Sequence, residues 1–198
     1  MVVWTIQHKS VYEMIQKRGV YYPDFDKAPC QDHRRQYDFL LQTFKDSNVH
    51  INGVCALRGL VFCFLIDRCD TFAELKERSS SLGVLNQGRY RLLTEEYRLL
   101  RISNSAVRGY NFMPIYLANF IELFSEEEGF SETYSQLAQP AYALMPFKEF
   151  VVRQREALYS GELLEPVFAL SGQLIQIHMP LLLASHIDEI FPAADLTC

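Results

Sequence analysis

The sequence predicts an α+β domain, with small mixed sheets at either end of the chain and a largely helical middle at about residues 95 to 160. Three observations predict it. Gly59-Leu-Val-Phe-Cys-Phe-Leu-Ile66 is an unbroken apolar run rich in β-branched and aromatic residues, the pattern of a strand covered on both faces. Two S/T-x-x-E boxes, at Ser10 and Thr71, announce helix starts. The strand, helix and strand that open the chain have a counterpart in the strand and short helix that close it.

In order, Val3 to Gln7 alternates apolar and polar side chains and reads as a first strand. Ser10-x-x-Glu13 caps a helix whose apolar face is Val11, Met14 and Ile15, and Gly19 can take the left-handed conformation that ends it. Val20-Tyr21-Tyr22 returns as a strand and stops at Pro23. Tyr37, Leu40, Leu41 and Phe44 stand at i, i+3, i+4 and i+7, a helical stripe within residues 31 to 46. The apolar run follows, and then Thr71-x-x-Glu74 starts another helix.

The middle reads as helix at Thr94 to Leu100, from Pro114 to Phe124, after Ser131, and from Pro146 through Leu158. Glu126-Glu127-Glu128 fits a solvated helix end. At the tail, Gln173 to His178 alternates as a strand and Pro180 breaks it, after which Ser185-x-x-Asp188 caps a short helix ending at Phe191.

With 198 residues the chain is long enough for one domain, residues 1 to 198, because roughly 70% of the unfolded surface can be buried at this size. A net charge of −5 argues against bulk nucleic-acid binding, although basic pairs such as Arg34 and Arg35 could still form a local pocket. Five cysteines are an odd count without C-x-x-C, so reduced thiols in the cytoplasm are the expectation. The apolar runs fall short of the ~20 residues a membrane helix needs, so no membrane partner is expected.

No P-loop, G-x-S-x-G or G-x-G-x-x-G occurs, and His50, Cys55, Cys63 and Cys69 have no usual zinc spacing. Candidate ligand contacts are His8 beside a strand end, the cations Arg34 and Arg35 at a helix start, and the rings of Tyr21 and Tyr22. Unpaired backbone donors at a helix start favour anions, so the arginine pair could hold a phosphate; the alternative is a solvated surface. The tyrosines could cover a base or nicotinamide; the alternative is packing.

Trp4-Thr-Ile-Gln7, the helix around Val11-Tyr12, Gly19-Val-Tyr21, Gln36-Tyr-Asp-Phe-Leu40, Leu60 to Ile66, Val84-Leu-Asn86, Leu174 to Ile177 and Ile187-Asp-Glu-Ile-Phe191 resemble, in that order, a bacterial family known as domain of unknown function 3841. Together they cover about half of the chain. A polar first strand, a capped helix ending in glycine, and a last strand followed by I-x-x-I are also similar to the ADP-ribosyltransferase fold, which includes DNA-targeting toxins.

That second resemblance implies a cleft for NAD. Thr5 or Gln7, with His8 beside it, would contact the nicotinamide ribose, Tyr21 or Tyr22 would pack on the nicotinamide, and the late-strand catalytic position would be Gln173. A glutamate is the family's residue there. An amide carries no charge to stabilise an oxocarbenium-like transition state, a loss worth about 2.7 to 4 kcal/mol, unless an acid such as Glu165 substitutes. The reading requires the first and last extended segments to lie side by side.

Two functions therefore stand open: a cleft that binds NAD or another nucleotide with weak or no transferase activity, and a non-enzymatic module that binds a protein partner in phage–host conflict. The second rests on Tyr110, Phe112, Tyr116, Tyr134 and Tyr142, since aromatic anchors dominate interfaces.

Overall fold

Six strands hydrogen-bond into the main sheet, in the order β10-β4-β1-β3-β8-β6, and the first strand of the chain lies inside it. The computed structural model describes residues 2–27, 34–35, 37–38, 41–42, 57–66, 69–78, 91–103, 111–112, 115–116, 145–146 and 174–196. The strands are β1 Val3–His8, β2 Val20–Tyr21, β3 Val61–Ile66, β4 Tyr97–Ile102, β5 Asn111–Phe112, β6 Ile115–Tyr116, β7 Met145–Pro146, β8 Leu174–Met179, β9 Leu182–Leu183 and β10 Ile187–Pro192. Two small sheets pair β2 with β9 and β5 with β7. All these pairings are antiparallel rather than mixed, and the parallel contact between Asp24 and Arg58 is an isolated bridge. Helices and antiparallel sheets together make the protein α+β.

Helix α1, Lys9–Arg18, has His8 rather than Ser10 as its N-cap and starts two residues earlier than the Ser10 box predicts. The His8 ring takes the capping role: Nδ1 accepts from the Ser10 amide at 3.3 Å and sits 2.8 Å from the Ser10 hydroxyl. Gly19 ends the helix as expected, at φ 75°, donating its amide to the Ile15 carbonyl at 2.7 Å. Ile15 is fully buried, whereas Met14, expected beside it, is 37% exposed. Helix α2, Phe72–Glu77, has the predicted capping box, with the Thr71 and Glu74 side chains each accepting the other's backbone amide. Residues 34–35, 37–38 and 41–42 are helical, with Tyr37 and Leu41 buried, in keeping with the stripe read there.

Register alternates the faces of the sheet. Val3, Thr5 and Gln7 lie opposite Ile102, Leu100 and Arg98, while Trp4 and Ile6 lie opposite Arg101 and Leu99 on the other face. Both faces are covered: Val3, Trp4, Thr5, Leu99, Leu100 and Ile102 have no exposed surface. On the Trp4 face, Phe191 stacks on Phe72 of α2 at 4.2 Å, and Arg101 binds the Asp70 carbonyl together with Asp188 and Glu189.

Several expectations are corrected. Thr94 to Leu100 is not helical: Tyr97–Ile102 is a strand paired with β1 along its whole length. Its leucines, glutamates and arginines favour helix, but a slot between β1 and β10 with both faces covered outweighs that weak preference. The other described residues of the middle, in β5, β6 and β7, are also extended, so Ile115–Tyr116 after Pro114 and Pro146 itself belong to strands. The helices expected after Ser131 and from Phe147 to Leu158, and Glu126 to Glu128, lie outside the described residues.

The helix expected at Ser185 to Phe191 is instead a 3₁₀ turn, Ala184–His186, followed by strand β10. Finally, β1 is not beside β8 or β10; β3 separates it from the first and β4 from the second. The chain ends meet through β2 and β9, where Val20 pairs with Leu183 and the Ala184 amide donates to the Gly19 carbonyl at 2.9 Å.

Gly59 is fixed by close approach. A Cβ there would stand 2.8 Å from the Pro23 carbonyl carbon and 2.9 Å from the Asp24 nitrogen, both backbone atoms that hold the Asp24–Arg58 bridge. Gly59→Ala is expected to destabilise the protein by about 1–3 kcal/mol, the usual range for overpacking, read as a lower denaturant midpoint at unchanged slope.

Candidate functional site

The ladder between β1 and β3 is registered at one pair, Trp4 with Phe64. Near it the Thr5 hydroxyl donates to the Phe62 carbonyl of β3 at 2.8 Å. Thr5 Oγ1 in turn accepts from Gln7 Nε2 at 2.8 Å. Thr5 has no exposed surface and Gln7 is half-buried, so the pair runs from the interior of the sheet toward its surface. Thr5 is thus a fixed internal partner and Gln7 is the group a ligand could reach.

Around the seam the chemistry is quiet. Burial pushes the Cys63 thiol up to about 12, so it is a thiol and not a thiolate at neutral pH. His178, the register partner of Phe62, stands edge-on to that ring at 5.1 Å. Burial lowers its imidazole to about 3, keeping it neutral. Phe25 stacks on Tyr37 at 4.5 Å and both approach Phe62, giving an aromatic wall to this part of the sheet.

The other predicted residues do not gather at Gln7 as a set. His8 does lie next to it: Nε2 is 3.7 Å from Glu96, which Lys9 holds at 2.8 Å. Tyr21 and Tyr22 sit at the far end of α1, a helix about 15 Å long, where β2 meets β9 near the Val3–Ile102 end of the sheet. Burial, and then Asp24, raise the Tyr21 phenol above its ordinary value, and Tyr22 is 53% exposed. Arg34 is held by two carboxylates, Asp26 and Asp38, which satisfy the charge a phosphate would have used. Arg35 is exposed on the same helical segment. Gln173, Glu165 and the aromatics Tyr110, Tyr134 and Tyr142 lie outside the described residues.

Sequence reading missed Arg98. It stands opposite Gln7 in the β1–β4 register, on the same face of the sheet, but falls in a stretch whose composition reads as helix. The signal available was the alternation of Arg98, Leu100 and Ile102 against Tyr97, Leu99 and Arg101, masked because both sets carry leucine. Among the described residues no helix is long and apolar enough to cross a membrane. No family model, curated protein or solved structure matches the chain.

Proposed function

We propose that the protein binds a nucleotide-type ligand, NAD or a derivative of it, at the Gln7 end of the central sheet, without the side-by-side placement of first and last strands that an ADP-ribosyltransferase-like cleft requires. The resemblance to domain of unknown function 3841 and to the ADP-ribosyltransferase fold supplies the ligand class. One observation carries the location: a buried threonine, itself bound to the Phe62 carbonyl of β3, accepts from the half-buried Gln7 amide and orients it. Thr5 fixes the Gln7 side chain through Nε2, which leaves its carbonyl oxygen and second N–H for a ribose hydroxyl or a carboxamide. The late-strand position carries Gln173, an uncharged amide, so the reading is ligand binding with weak or no transferase activity.

Calorimetric titration with NAD and with ADP-ribose tests it. Binding is expected at or below millimolar concentration, and Gln7→Ala is expected to weaken it about tenfold, the value of one well-placed hydrogen-bonding group. The absence of heat at millimolar ligand would end the proposal.

A further inference from the structure

We propose that Arg98 is the anion-recognition residue of the Gln7 site, and that the ligand bound there carries a phosphate or pyrophosphate. This rests on the nucleotide reading for the rest of the ligand, but the assignment of Arg98 comes from the sheet itself. Gln7 and Arg98 are opposite residues of β1 and β4, so their Cβ atoms lie about 5 Å apart on one face. Pro192 follows in the same row on β10, and it brings no competing charge.

The guanidinium is already positioned. Nη1 donates to the Glu95 carbonyl at 2.8 Å and to the Tyr97 carbonyl at 3.0 Å, which leaves Nε and Nη2 as a fork of donors. Those two partners are neutral, and among the described residues Arg98 makes no ion pair. Other cations of the described sheet and its rim are spoken for: Arg101 by Asp188 and Glu189, Arg34 by Asp26 and Asp38, and Lys9 by Glu96. Lys17, Arg18 and Arg91 are exposed side chains free to be solvated, whereas Arg98 is half-buried. A guanidinium on a half-buried residue whose hydrogen bonds all go to neutral carbonyls gains from an anion more than a fully solvated one does. The Glu96 carboxylate senses Arg98 but makes its hydrogen bond and ion pair with Lys9.

The experiment measures binding of inorganic pyrophosphate and of NAD, by calorimetry at low and moderate salt, to the wild-type chain, Arg98→Gln and Gln7→Glu. Circular dichroism checks that each is folded. Arg98→Gln is expected to weaken pyrophosphate binding at least about tenfold and to flatten its salt dependence. Gln7→Glu sets a carboxylate opposite Arg98 and is expected to abolish pyrophosphate binding by occupying the fork, so it tests the pairing even if Arg98→Gln does not fold. Pyrophosphate binding that both folded variants leave unchanged overturns the assignment. If the wild-type chain takes pyrophosphate with these losses but no NAD, the Arg98 site stands and the nucleotide reading falls. If it binds NAD equally in wild type and Arg98→Gln, the nucleotide reading stands and the Arg98 site falls; if it binds neither ligand, both fall.

Discussion

Lowering the pH from 6.5 toward 5 is expected to cost the protein stability at up to about 1.4 kcal/mol per pH unit, through His178. The sign follows from where the proton goes. In the unfolded chain His178 titrates near its ordinary 6.5, while in the folded protein burial in the β3–β8 ladder lowers it to about 3. Between those values the unfolded state binds more protons than the folded one, so stability rises with pH across the window and levels off above 6.5. The contribution is fully present at neutral pH and is lost as the pH falls through the window to the folded value, on the order of 5 kcal/mol in all. His186, also depressed by burial, adds to the loss in the same direction.

Asp26, Glu74 and Glu96, held below the ordinary carboxylate range by Arg34, Thr71 and Lys9 respectively, act in the same sense only at lower pH. The interval from pH 6.5 to 5 therefore isolates the histidines. Urea unfolding at pH 7.5, 6 and 5 measures the slope, and His178→Gln should reduce it by close to one proton while lowering stability at pH 7.5. A wild-type stability flat over this interval would mean that His178 is not held neutral in the interior.

Local rules recovered those parts of the fold whose signals are local. Gly19 ends α1 because only a residue without Cβ takes φ 75° at no cost, and the Thr71–Glu74 box starts α2 because both groups answer free amides within one turn. Position β1 was legible from alternation and β3 from its unbroken apolar run. The failures have a common origin in pairing between distant segments. Strand β10 read as helix because Ser185-x-x-Asp188 has the form of a helix cap, yet Ile187 and Ile190, spaced by three, lie on one face of the sheet. The register shift between Ile187 and Glu189 is what does this: a bulge inserts one residue and turns a period of two into a spacing of three.

The same limit applies to the candidate site. Thr5 and Gln7 come from the resemblance and His8 from its place beside a strand end; alternation shows only that Thr5 and Gln7 share a face of one strand. That Thr5 is a buried strut and Gln7 the half-buried end of the pair depends on the place of β1 beside β3 and on the Thr5 bond to the Phe62 carbonyl, which no local pattern states. Arg98 becomes a partner of Gln7 only through the β1–β4 register. Arg34 and Arg35 looked alike in sequence, and the carboxylates that neutralise Arg34 come from Asp26 in the preceding 3₁₀ turn and Asp38 one helical turn on.

Replacing Trp4 by alanine is expected to produce the largest loss of stability of any single change considered. Trp4 is fully buried on β1, with strand neighbours on both sides, and its ring lies 6.3 Å from that of Phe191. Its Nε1 donates at 3.1 Å to the Cys69 carbonyl, which ties the segment leading into α2 to the sheet. Trp4→Ala removes the packing of a whole ring, about 3–5 kcal/mol, and the hydrogen bond to the Cys69 carbonyl, about 0.5–1.5 kcal/mol more. Against the 5–15 kcal/mol typical of a domain, that sum takes a large share of the stability.

Trp4→Phe separates the two contributions, because phenylalanine keeps much of the ring while losing the donor, and it should cost about 1–3 kcal/mol. As Trp4 is the one tryptophan of the chain, its emission follows the wild-type transition directly, and far-ultraviolet circular dichroism follows the variants. The hydrogen bond joins β1 to the α2 segment, so Trp4→Phe should also raise amide exchange at residues 69–72 before it affects the β3–β8 ladder. Equal exchange in both regions, or a Trp4→Ala protein that unfolds at the wild-type denaturant midpoint, would show that the sheet is not organised around this side chain.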